Sequence, residues 1–98
     1  MVDKDAEALR IAAAAVSTID IRYRLADAIG KDELADARDQ AWANYAAARQ
    51  RLLADGDIVT ADQLAELTAL SQELGRAAQI AALAGTALKI AGLLARMA

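Results

Sequence analysis

Gln79-Ile-Ala-Ala-Leu-Ala-Gly-Thr-Ala-Leu-Lys-Ile-Ala-Gly-Leu-Leu-Ala-Arg-Met-Ala98 carries no acidic residue, and Lys89 and Arg96 are its only charges. All Asp and Glu residues lie before it, within residues 1–73. Ile80, Leu83, Ala87, Ile90, Leu94 and Met97 recur at alternating steps of three and four, the a/d spacing of a helix that buries one seam. Ala78, Ala81, Gly85, Gly92 and Ala95 form a track of small residues on another side. Such a segment needs apolar cover. The position of that cover decides the architecture.

Immediately upstream, Thr60 with Gln63 three residues later reads as a capping box, and Val59 with Leu64 as a hydrophobic staple. No Pro follows, so the pattern predicts one helix over 60–97, about 55 Å long at 1.5 Å per residue, packing first through Leu64, Leu67, Leu70 and Leu74. Gly30 and Gly56 divide the rest into two shorter helices, over about 3–29 and 32–54. On the first, Leu9, Ala12, Val16, Ile19, Tyr23 and Ala26 form an apolar stripe, with Ile11, Leu25 and Ile29 on nearly the opposite side. The alternation of Ile19, Ile21, Tyr23 and Leu25 with charged residues also fits a strand, but no turn residue separates it from its helical flanks. On the second helix Leu34, Ala41, Tyr45, Ala48 and Leu52 face inward, with Trp42 on the flank. Asp32, Glu33 and Asp36 lie near its start and Arg49 and Arg51 near its end, which suits the helix dipole.

The fold expected is therefore all-α and a single domain over 1–98: a helical hairpin plus a long third helix, a three-helix bundle completed by oligomerisation. The third helix would overhang the hairpin, leaving residues 79–98 as an apolar tail for assembly or partner binding. The expected interface is Ile80, Leu83, Ala87, Ile90, Leu94 and Met97, with Gly85 and Gly92 allowing close approach of another backbone. A bend at Gly75 or Gly85 is the alternative that would fold the tail back.

Composition removes most chemistry. The hydrophobic fraction is 57%, but much of it is Ala, which favours helix strongly while burying little area. Without Cys or His there is no disulfide, thiol nucleophile or imidazole base, and no ordinary zinc, haem or iron–sulfur site. Ser17 and Ser71 lack a His to activate them, and no Gly-rich loop is present to hold phosphate, so no enzymatic role is expected. Neither a cofactor nor a metal is expected.

Asp55-Gly56-Asp57-Ile58-Val59-Thr60-Ala61-Asp62 resembles the second half of an EF-hand calcium loop. Its first and third ligand positions would be Arg51 and Leu53, which supply no carboxylate, so the segment reads as a Gly helix end followed by a Thr cap. A net charge of −3 argues against nucleic-acid binding. The acidic start, with no apolar run directly after it, leads us to expect a cytoplasmic protein.

Three roles fit the tail. The preferred one is a structural or interaction protein that forms a homodimer or higher oligomer. A second is a peripheral membrane-binding protein whose tail lies on a lipid surface with Lys89 and Arg96 towards headgroups. The third is an adaptor or inhibitor inserting the tail into another protein's groove.

Overall fold

The computed structural model describes residues 3–98, an all-α bundle of four helices: α1 (Lys4–Leu25), α2 (Ala28–Asp55), α3 (Ala61–Arg76) and α4 (Ile80–Met97). The single long third helix expected from the sequence is two helices, α3 and α4, with the chain reversing over residues 77–79. Neither glycine makes the reversal. Gly75 stays inside α3 and Gly85 inside α4, each with open space around the position a side chain would take.

Magnitudes explain why the chain turns. Continuing the helix through residues 77–79 would keep a few backbone hydrogen bonds worth about 1 kcal/mol each. Turning buries Leu83, Ile90, Leu93, Leu94 and Met97 almost completely, at about 2 kcal/mol apiece. Burial of the seam outweighs the lost helical turn. The expectation that the chain cannot cover its own seam is corrected accordingly, because α2 and α3 cover it.

The helices alternate in direction, yet they are not arranged in chain order. α1 packs on α2 and α3, while α4 packs on α2 and α3; the backbones of α2 and α3 do not approach closely, and those of α1 and α4 barely do. The sequence-adjacent pair α2 and α3 thus sits across the diagonal, and the parallel pairs α1/α3 and α2/α4 are side by side. The most extensively packed pair is α2/α4. Its residues account for this: Ala37, Ala41 and Ala48 are buried on α2, Ala87 and Ala91 on α4, and small side chains let helix axes approach. The approach brings Asn44 Nδ2 within 2.9 Å of the Ala91 carbonyl, to which it donates a hydrogen bond. Leu34 and Leu52 on α2 are buried as expected, while Tyr45 is half-buried and Trp42 exposed.

Segment 56–60 must cross the diagonal, and a buried carboxylate receives it. Asp5, 5% exposed in the first turn of α1, accepts hydrogen bonds from the Ile58 amide (3.1 Å to each oxygen) and the Val59 amide (2.9 Å). The α1 N-terminal dipole also favours a negative charge there. The capping box forms as read from the sequence: Thr60 Oγ1 accepts from the Gln63 amide, and Gln63 Oε1 accepts from the Thr60 amide. Gly56 ends α2 with φ of 68°, its amide donating to the Leu52 carbonyl at 3.2 Å. Arg51 and Leu53, at the first and third positions of the EF-hand comparison, lie in the last turns of α2, so that segment is helix rather than loop.

The α1–α2 turn also differs from expectation. α1 ends at Leu25 rather than near residue 29, and α2 starts at Ala28 rather than near residue 32. Asp27 is the N-cap, its Oδ1 accepting from the Gly30 amide at 2.8 Å. Gly30 is needed for space rather than for the break: a Cβ there would stand 3.0 Å from the Ala26 Cβ and 3.2 Å from Asp27 Oδ1. Because α2 starts earlier, Asp32, Glu33 and Asp36 fall beyond its first turn, and Asp27 supplies the negative charge at the helix start.

Replacing Asp5→Ala leaves two backbone amides without their acceptor and is expected to destabilise the fold by about 3 kcal/mol, read from the urea midpoint. Ala91→Leu overfills the α2/α4 contact and is expected to cost about 2 kcal/mol by the same measurement.

Candidate interaction surface

The expected interface residues divide into two groups. Leu83, Ala87, Ile90, Leu94 and Met97 are buried in the core and Ile80 is half-buried. Gly85 and Gly92 are on the solvent side of α4, together with Ala81, Ala82, Leu88, Lys89, Ala95 and Arg96. The structure therefore separates the apolar seam from the small-residue track. α4 is long and apolar enough to cross a membrane by length and composition, with a mean hydropathy of 1.5, but its most apolar face is turned into the bundle. Arg96 Nη2 lies 3.2 Å from Glu66 Oε1, and Thr86 donates to Glu73 Oε1 at 3.3 Å, so polar contacts also join α4 to α3.

The two most exposed large apolar side chains lie on a different surface, while Leu53, Trp42 and Leu88 are exposed elsewhere. Leu25 is 79% exposed, Ile29 72% and Ile21 54%. Leu25 and Ile29 flank the two-residue turn between α1 and α2, and Ile21 lies one helical turn back from Leu25. The α3–α4 reversal is at the same end. Arg22 ties the two connections together, donating from Nη1 to the Ala77 carbonyl at 2.9 Å and from Nη2 to the Ala78 carbonyl at 3.2 Å. The Ile80 Cδ1 stands 3.6 Å from where a Gly30 Cβ would lie. This end of the bundle thus presents Leu25, Ile29, Ala28 and Ala78 outward.

Several charges at this end are committed to the chain itself. Asp27 caps α2, Arg22 holds the two carbonyls, and Arg24 pairs with Asp20 at 3.1 Å. Asp20 also accepts from Arg38 at 2.8 Å, and the Arg38 guanidinium lies 4.5 Å from the centre of the Tyr23 ring. Helical position alone suggested the Tyr23 stripe; Arg38 reaching across from α2 required the tertiary structure. Trp42 packs edge-on to Tyr45, centroids 6.3 Å apart, on the flank of α2 and apart from the apolar end.

The sequence pattern hides this surface because Leu25 and Ile29 read there as part of one continuous helix ending at Gly30. An available signal was Asp27 followed three residues later by Gly30, a short side-chain cap that places the turn at Ala26. Chemically, the surface can exclude water against another apolar surface. Among the described residues, no group of three His, Cys, Asp or Glu side chains comes together to hold a metal.

The hydrogen bond from Arg38 holds the Asp20 carboxyl below its usual value of 3.8, with Arg24 acting in the same direction. A depressed folded value means that the resulting stability is present above the unfolded value and is lost as pH falls through the folded one. Arg38→Met is therefore expected to flatten the fall in urea midpoint between about pH 5 and about pH 3, with little added loss at the acid end. No family model, curated protein or solved structure matches this chain.

Proposed function

We propose that this chain is a non-enzymatic helical interaction protein that associates with a second copy of itself through the end of the bundle bearing Leu25 and Ile29. The observation that carries this reading is the exposure of these two large aliphatic side chains, 79% and 72%, on either side of the α1–α2 turn. Their neighbours add to it: Ala28 and Ala78 are small and outward-facing, and Arg22, Arg24 and Asp27 already have partners within the chain.

A second copy suits this end because an apolar tip is complementary to itself about a two-fold axis. The remaining charged residues near it include both signs, Lys31 and Arg76 with Asp32 and Glu33, so a two-fold arrangement brings no single-signed surface against itself. The tail seam proposed from the sequence is less suited to this role in the closed bundle, since its large side chains are already covered by α2 and α3.

Light scattering after size exclusion, over a concentration series, tests the reading. The wild-type mass is expected to rise from 10.3 kDa towards twice that value, whereas Leu25→Asp with Ile29→Asp stays at the lower mass. Both positions are exposed, so an unchanged helical spectrum is expected for the double variant. A wild-type chain that stays monomeric at every concentration, or a double variant that dimerises as well as wild type, overturns it.

A further inference from the structure

The chain reverses between α3 and α4 at a place where its own sequence favours continuing. Arg76, Ala77, Ala78 and Gln79 are good helix formers, and the link contains neither Gly nor Pro. Its backbone is nonetheless extended, with φ/ψ of −71°/111° at Ala77 and −92°/145° at Gln79. Gln79 makes no side-chain cap to α4. The bent link is held from outside by Arg22, whose guanidinium donates to the Ala77 and Ala78 carbonyls.

We propose that α4 is an exchangeable element: when the link becomes helical, α3 and α4 form one straight helix, and α4 leaves its place beside α2 to fill the same place in a second copy. This rests on the association of bundle ends proposed above and gives its mechanism. The geometry is consistent throughout. In the closed chain α4 starts at the Leu25/Ile29 end and runs to the far end, where the Arg51 guanidinium donates to the Ala98 carbonyl at 2.9 Å. A straightened helix over residues 61–97 would project through that same end for about half of its roughly 55 Å length. A second copy placed end to end about a two-fold axis presents its vacated α4 place in the correct direction.

In such a dimer the α2/α4 contacts, including Asn44 to the Ala91 carbonyl, are made between copies instead of within one. The closed and exchanged forms then differ in few places. Exchange loses the two Arg22 hydrogen bonds and gains helix at the link. It also brings the two tips together, covering the Leu25 and Ile29 side chains that the closed form leaves in water. Short links whose sequence suits a straight path are where such exchange occurs. Arg22 is the positioning residue that favours the closed form.

The test refolds the full chain from urea at high and at low concentration and measures mass by light scattering. Concentrated wild type is expected to give a dimer that persists for hours after dilution, because separation requires α4 to leave its neighbours. Ala78→Pro prevents the straight helix, and Ala77 before it already has the extended backbone that a following proline favours. It is expected to abolish the persistent dimer. Ala77→Gly with Ala78→Gly lowers the helix preference of the link and is expected to raise the dimer dissociation constant at least about tenfold. Arg22→Ala is expected to raise the dimer fraction several-fold.

A dimer equally persistent in Ala78→Pro and in the double Gly variant overturns exchange while leaving end-to-end association intact. A dimer that separates within seconds of dilution does the same. An Arg22→Ala chain with an unchanged dimer fraction removes Arg22 as the latch. A wild-type chain that forms no dimer after concentrated refolding overturns both the exchange and the association beneath it.

Discussion

Contact between α2 and α4 through alanine is the constraint on which the rest of this structure depends. Ala37, Ala41 and Ala48 on one helix and Ala87 and Ala91 on the other are all buried, so the helices approach closely enough for Asn44 to reach a backbone carbonyl across the gap. Close approach allows α4 to cover its apolar seam within its own chain. With α4 beside α2 and α1 as the other neighbour of α2, the chain reverses after α3, and the connection from α2 to α3 crosses the diagonal. Each of these consequences needs a polar device. Arg22 holds the reversal, and the buried Asp5 carboxylate receives the crossing segment.

Both devices are ends of charged side chains meeting backbone groups that no helix satisfies. Asp5 takes the amides of Ile58 and Val59 just before α3 begins, and it sits at the start of α1, where the helix dipole supports its charge. Arg22 takes carbonyls just after α3 ends, near the close of α1. α1 therefore secures a loop at each end of the bundle, although no single helix packs on it as extensively as α2 packs on α4. The two ends differ in what they show to water. Asp3, Asp55, Asp57 and Asp62 are exposed at one, around a single exposed large aliphatic, Leu53, whereas Leu25 and Ile29 flank the turn at the other and are the two most exposed large apolar residues among those described. That asymmetry is why association is proposed at the α1–α2 turn.

The candidate surface was scarcely legible in the sequence. Leu25 and Ile29 are aliphatic residues in an apolar helical pattern, and the pattern alone places them against a second neighbour. Their exposure follows from the helix ending at Leu25, which in turn follows from Asp27 capping the next helix. The seam of α4 was legible as a seam, including Leu83, Ile90, Leu94 and Met97, but the element that covers it was not. A periodic stripe states that a face is buried and carries no information about which surface buries it.

What the sequence by itself determined is what arises from neighbours along the chain: the all-α class from Ala-rich, Pro-free composition, the α3 start from Thr60 and Gln63, the end of α2 at Gly56, and the inward positions Val16, Ile19, Leu34, Leu67 and Leu74. Such features depend on backbone preference and spacing within a few residues. Only the tertiary structure decided that residues 77–79 turn back, that Gly30 is a packing position and that Asp5 is buried. The physical reason is one of scale: local helix preference at the link amounts to a few kcal/mol, whereas burying the α4 seam is worth on the order of 10 kcal/mol. Burial of that size becomes available only once distant α2 is in place.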